Sequence, residues 1–156
     1  METGEATGVM ATGVLIYTVV LMVGSQAAGW ASDKLGRRKI FVGGATLVFG
    51  IGTAMLVQVD GVTGFYLAEA VLGLGYGMYI GVDLALVVDL LPDPENAAKD
   101  LGVFNIANAG PQAIAPGVAG LLVSTGNGHN YGTMLTVAAL VCLIGALAVL
   151  PIRKVR

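Results

Sequence analysis

The sequence has 156 residues, of which 56% are hydrophobic and only 12% are charged, about half the charged fraction of an ordinary soluble domain. The net charge is −2, and eight basic residues in three short segments do not form the broad basic surface of a nucleic-acid-binding protein. Five long apolar stretches predict an all-α membrane protein with five transmembrane helices in one domain. These predicted helices cover about residues 9–30, 40–58, 65–90, 101–124 and 131–150.

Five charged residues lie within seven positions, from Asp33 to Lys39, between the first two predicted helices. Neither of these helices contains a charged residue of its own. Gly36 stands in the middle of this charged segment, and glycine adopts the left-handed backbone conformation that reverses a chain without a steric penalty. We therefore predict a short loop that joins two membrane helices on one side of the bilayer, with Trp30 at the membrane interface.

The charged segment, together with Gly29 four positions before it, resembles the loop motif of the major facilitator superfamily of secondary transporters, G-x-x-x-D-[RK]-x-G-[RK]-[RK]-[RK]. The matching residues are Gly29, Asp33, Lys34, Gly36, Arg37, Arg38 and Lys39. This resemblance implies a membrane transporter, not an enzyme, with a fold of twelve helices in two halves. The alternative is an ordinary basic loop that contains a glycine and an aspartate by coincidence.

The third predicted helix carries acidic residues in an apolar stretch, where a carboxylate costs about 2.5–3.5 kcal/mol and usually marks an ion or substrate path. At 100° per residue, four polar side chains fall within about 80° of the helix surface. They form a carboxylate–tyrosine stripe of Glu69, Tyr76, Tyr79 and Asp83. The alternative for Asp83 is a carboxylate that snorkels to the interface or caps a neighbouring helix.

The two carboxylates of this stripe are 14 residues apart, which is about 21 Å along a helix. They cannot form a carboxylate pair. An intramembrane aspartyl protease needs two aspartates from different helices at close range, and it is excluded because no other predicted helix contains an aspartate to meet Asp83. An adjacent face of the same helix carries Gly73, Gly77 and Gly81 at intervals of four residues. Such a small-residue face predicts close packing against a neighbouring helix.

The fourth predicted helix carries an amide stripe, Asn105, Asn108 and Gln112, whose donors and acceptors suit a hydroxyl-rich ligand. Interhelical hydrogen bonding is the alternative role of these amides. Pro111 and Pro116 are expected to kink this helix. Residues 101–112 also resemble the eleventh helix of the sucrose–proton symporters, a branch of the same superfamily.

All eight basic residues fall in the charged segment, in the loop over residues 92–100, or in the tail after residue 150. In a five-helix topology these three segments lie on one side of the membrane. The positive-inside rule therefore predicts a multi-pass plasma-membrane protein with its N-terminus outside and its C-terminus in the cytoplasm. The turn that contains His129 is expected to be external and solvated.

The segment Glu69–Gly73 stands where the N-terminal half of the superfamily carries an arginine four residues before a glycine. The acidic residue in place of this arginine, together with the basic tail at the end of the chain, suggests that the chain corresponds to the last five helices of the C-terminal half. The resemblance then implies that the N-terminal half is a partner, together with the lipid bilayer, a small solute and a proton. It implies no cofactor, and the sequence shows no metal-binding cluster, nucleophile triad or phosphate-binding loop.

The leading functional prediction is part of a secondary active transporter for the proton-coupled uptake of a small polar solute such as a sugar. Asp83 is the expected proton carrier. One alternative is a drug–proton antiporter of the same superfamily. Another is a truncated membrane subunit that does not transport, and a neighbouring reading frame for the missing helices would distinguish a split gene from a short protein.

Overall fold

The computed structural model describes residues 3–90, 97–126 and 128–148. These residues contain α-helices and no strand, which confirms the predicted fold class. The helices are α1 (Thr3–Leu35), α2 (Arg38–Val57), α3 (Gly61–Leu90), α4 (Ala97–Ser124) and α5 (Tyr131–Ala148). Each of the five contains a stretch that is long and apolar enough to cross a membrane.

Several helices extend beyond the apolar spans that the sequence predicted. α1 continues through Asp33 and Lys34 to Leu35, so the charged segment is largely helical. Hydropathy marks the part of a helix inside the hydrocarbon, whereas backbone hydrogen bonding continues through the headgroup region, where lysine and arginine are good helix formers. The helix start expected at residues 93–95 and the basic tail both lie outside the described residues.

The chain reverses between α1 and α2 at Gly36, whose φ is +60°. The Gly36 amide donates a hydrogen bond to the Ser32 carbonyl at 2.9 Å, which closes the end of α1. Across the turn, Nη2 of Arg38 donates to Oδ1 of Asp33 at 3.1 Å. The aspartate of the motif therefore accepts from the first residue of α2 and ties the two helix ends together.

α3 is the central helix of the bundle and packs against α1 on one side and α2 on another. Ala28, Val42 and Val82, one residue from each of these three helices, form a cluster of buried apolar side chains. α2 also packs against α5, whereas α4 contacts chiefly α5. Most described side chains of α4 are exposed, so this helix is the least covered part of the structure.

The orientation of the chain is open to a direct test with reporter fusions. Because the basic residues are confined to one set of loops, fusions in the His129 turn should report an external position. Fusions after Arg156 should report a cytoplasmic position, and fusions in the turn at Asp60 provide a second external site. A cytoplasmic signal from the His129 turn would contradict the predicted topology.

Candidate functional site

The small-residue face of α3 lies directly against the backbone of α1. A Cβ atom placed on Gly73, Gly77 or Gly81 would overlap a backbone carbonyl oxygen of α1 in each case. The three carbonyls belong, in order, to Tyr17, Leu21 and Ser25. The two helices therefore approach along about two turns, at a distance that only glycine permits.

The motif glycine continues this contact toward the charged segment. A Cβ on Gly29 would lie 3.3 Å from the backbone oxygen of Gly81. At the same end of α1, Nζ of Lys34 lies 4.9 Å from the centre of the Trp30 ring, a cation–π arrangement on an exposed surface. The motif therefore begins with a contact between α1 and α3 at Gly29. It ends with the ion pair between Asp33 of α1 and Arg38 of α2.

Aromatic side chains from three helices meet at the middle of α3. The Tyr76 ring stacks against Tyr17 of α1 at 6.4 Å and against Tyr79 at 6.5 Å, measured between ring centroids. Phe49 of α2 approaches the same ring at 6.2 Å with a tilt of 52°. We call Tyr17, Phe49, Tyr76 and Tyr79 the aromatic cluster. It places the tyrosines of α3 in the notch between α1 and α2.

A cavity of about 210 Å³ adjoins the aromatic cluster between α2 and α3. Its lining residues are Ala45, Thr46, Phe49, Gly75, Tyr76 and Tyr79. Gly75 makes this approach possible, because a Cβ there would lie 2.5 Å from the backbone nitrogen of Phe49. The cavity has the space for water molecules or for one ring of a small ligand.

The two carboxylates of the stripe flank the aromatic cluster along α3. The Tyr79 hydroxyl is placed to donate a hydrogen bond to the Asp83 carboxylate. Glu69 lies toward the other end and faces α1, where a Cβ on Gly13 would be 3.4 Å from its Cγ. Both acidic residues are half-buried. Half-buried carboxylates beside aromatic faces can hold either a proton or an organic cation.

The amide stripe of α4 is not part of this constellation. Asn105, Asn108 and Gln112 are exposed, and α4 contacts chiefly α5 rather than α3. The apolar face of α4 lines a groove toward α5. The structure therefore brings the tyrosines together between the two carboxylates along α3 and leaves the amides on a different helix.

Two members of the aromatic cluster were not identified from the sequence. Tyr17 gave a usable signal, because it is a polar aromatic residue in the charge-free stretch of residues 9–30 and follows Gly13 by four positions. Phe49 gave none, since it is one apolar residue in an apolar stretch. Its role depends on which helix packs beside α3, and hydropathy does not encode that choice.

Comparison with known proteins extends over nearly the whole chain. A sequence profile described as Major Facilitator Superfamily matches residues 3–156. The chain is 29% identical over 147 residues to the "Putative multidrug resistance protein MdtD" of Escherichia coli (strain K12 / DH10B). It is 26% identical over 147 residues to the protein of the same name in Enterobacter sp. (strain 638). Both alignments cover 94% of this chain but 30% of the relative, and no solved structure matches.

Proposed function

The chain belongs to the major facilitator superfamily of transporters, and on that basis we propose that it is part of a proton-coupled antiporter for amphipathic organic cations. The observation that carries this proposal is the aromatic cluster with a carboxylate on either side of it. Aromatic faces attract organic cations by about 0.5–2 kcal/mol, and a carboxylate neutralises the charge of the bound cation. The printed name of the relatives, a putative multidrug resistance protein, favours the same choice.

Proton movement is coupled to solute movement if one carboxyl group binds either a proton or a solute cation, but not both at once. A buried carboxylate must be either protonated or paired with a cation, because an isolated charge is costly away from water. If Asp83 takes a proton from one side and a cationic solute from the other, the two ligands cannot occupy it together. Alternating access of this kind of site converts a proton gradient into solute export. The Tyr79 hydroxyl, which is placed to donate to the Asp83 carboxylate, would orient that carboxylate toward either ligand.

A proton-coupled sugar symporter is the second candidate. The amide stripe favours it, because amides supply the paired donors and acceptors that bind sugar hydroxyls. The same stripe lies away from the carboxylates, however, and no relative reported above is named as a sugar carrier. Sugar symport therefore requires the N-terminal half to bring the amides and the carboxylates to one ligand.

Transport assays with two different substrates distinguish the two candidate functions. The complete transporter, meaning the chain together with the other seven helices of the twelve-helix fold, is assayed in everted vesicles with a fluorescent organic cation and with a labelled disaccharide. We expect proton-driven movement of the cation only, with the apparent affinity reduced about 2- to 30-fold by Tyr76→Ala, the range of one cation–π contact. Tyr131→Ala is the matched control, because Tyr131 is 58% exposed at the start of α5. Disaccharide transport without cation transport would support the symporter instead.

The chain by itself is expected not to accumulate solute. It spans 30% of the length of its relatives, and the described part of α4 leaves the amide stripe uncovered. A path through a bilayer needs walls on all sides, because lipid cannot satisfy exposed polar groups. The measurement is solute uptake into liposomes that contain only the purified chain, with and without a protonophore. Protonophore-sensitive uptake would show that the chain forms a complete path.

A further inference from the structure

The cavity between α2 and α3 has the size of a site for one aromatic ring. Its volume is about 210 Å³. An apolar cavity of about 150 Å³ in another protein binds benzene, so this one has space for a single six-membered ring but not for three fused rings. On the α3 side the wall is the backbone at Gly75. Because glycine has no side chain to remove, the cavity can be enlarged only through its other walls, and Phe49 is the largest side chain that α2 supplies.

The walls of this cavity suit an aromatic ring better than a sugar ring. Three of the lining residues are aromatic and belong to the aromatic cluster, and aromatic side chains attract a further ring more strongly than its buried area alone accounts for. Oγ1 of Thr46 donates to the Val42 carbonyl at 2.9 Å, and the Tyr79 hydroxyl is placed to donate to the Asp83 carboxylate. Neither of these two protons is therefore available to a sugar hydroxyl.

Asp83 is the carboxylate on the same side of α3 as the cavity. At 100° per residue, the lining residues Gly75, Tyr76 and Tyr79 span an arc of about 100° on the helix surface. Asp83 falls about 20° inside the edge of that arc, whereas Glu69 falls about 20° beyond it. Asp83 also follows Tyr79 by four residues, which is about 6 Å along the helix axis. A ring in the cavity and an ammonium group at Asp83 can therefore belong to one small molecule.

We propose that this cavity is a ring subsite and that it selects cations with a single aromatic ring. The choice of a cationic solute rests on the antiport function proposed above, and the cavity adds the size and shape of that solute. The ring lies against Phe49 and Tyr79, and a linker of about two carbons places the ammonium group at Asp83. Phe49 is the residue that sets the size limit. Tyr76 is 40% exposed, so a ligand can reach this wall without separating the two helices.

Ligand binding to the purified full chain in nanodiscs tests the size limit. Two primary ammonium ligands carry a phenyl or an anthracenyl group on the same short linker, and each displaces a tritiated phenyl ligand at a known free concentration. We expect the anthracenyl ligand to bind about 5- to 150-fold more weakly than the phenyl ligand, the range that overpacking typically produces. Equal affinities of the two ligands would overturn the proposal.

Phe49→Ala should narrow this size preference. Loss of the ring should weaken binding of the phenyl ligand about 2- to 12-fold, the range of one aromatic contact, and should create space for the larger ligand. Phe49→Leu should shift the preference in the same direction and keeps an apolar side chain in place if the alanine variant does not fold. Phe65→Ala is the matched control, because Phe65 is also half-buried and contacts a ring, Tyr66 at 5.9 Å, but does not line the cavity. Equal effects at Phe49 and Phe65 would contradict the subsite.

Asp83→Asn tests the position of the ammonium group. We expect it to weaken binding of the phenyl ligand about 10- to 150-fold, the range of a hydrogen bond to a charged group, whereas Glu69→Gln should have little effect. An equal loss in the two variants would overturn the placement at Asp83. These measurements need no transport, so the two proposals fail separately. Ring-size dependence without cation transport by the complete transporter would refute the antiport function alone, and cation transport that is indifferent to ring size would refute the subsite alone.

Discussion

Asp83→Asn is expected to abolish uphill transport by the complete transporter while solute exchange continues in part. The substitution keeps the size and polarity of the side chain, and the amide can still interact with the Tyr79 hydroxyl. It removes the titratable proton, so the site can no longer exchange a proton for solute. The measurement compares accumulation under an imposed pH gradient with exchange of labelled for unlabelled solute. The inside and outside concentrations should become equal in the variant.

Glu69→Gln is the comparison for this experiment. Glu69 belongs to the same stripe but lies 14 residues away, toward the end of α3 that is predicted to be external. Closer access to water should make its charge less costly, so we expect a smaller loss of accumulation. Undiminished uphill transport by Asp83→Asn would show that Asp83 has a structural role and does not carry the coupled proton. The proton carrier would then be Glu69 or a residue in the other seven helices of the fold.

Gly77→Val should disrupt the contact between α1 and α3. The added Cβ overlaps the Leu21 carbonyl oxygen, and a change of rotamer cannot relieve an overlap with backbone. Overpacking a well-packed contact typically costs about 1–3 kcal/mol, and a backbone overlap belongs at the upper end of that range. The free energy of unfolding in a detergent titration measures the effect.

Gly120→Val is the matched control for Gly77→Val. It places the same side chain on α4 at a position where a Cβ meets nothing within 4 Å. Valine has the same unfavourable helix propensity at both positions. The difference between the two variants in free energy of unfolding therefore reports the contact between α1 and α3. Equal stability of the two variants would show that α1 and α3 do not approach at Gly77.

The sequence predicted the features that depend on composition and on spacing within one helix. The five apolar spans are such a feature, and so is the face formed by Gly73, Gly77 and Gly81, because each follows from a repeat along the chain. The ends of the helices were less predictable. Asp33 and Lys34 are charged and yet helical, because the helix continues into the headgroup region where charge is tolerated.

Features that depend on the choice of neighbouring helix could not be predicted. The aromatic cluster requires Tyr17 and Phe49 to approach Tyr76 from two other helices. The separation of the amide stripe from the carboxylates is equally a matter of packing, since α4 contacts chiefly α5. The functional roles of these residues stay predictions. The resemblance of residues 101–112 to sugar symporters was short, and the relatives favour the drug antiporter that was the alternative.

The proposal that the carboxylate–tyrosine stripe lines a water-filled solute path is tested most directly by thiol accessibility in the complete transporter. Tyr76→Cys and Leu74→Cys are compared after Cys142 and any other native cysteine have been replaced by alanine. Tyr76 and Leu74 are both 40% exposed, but Leu74 lies on another face of α3, beside Gly24 of α1. We expect a membrane-impermeant thiol reagent to label Tyr76→Cys, the organic cation to slow that labelling, and Leu74→Cys to remain unlabelled. Equal labelling of the two variants, or labelling of Leu74→Cys alone, would contradict the proposed path.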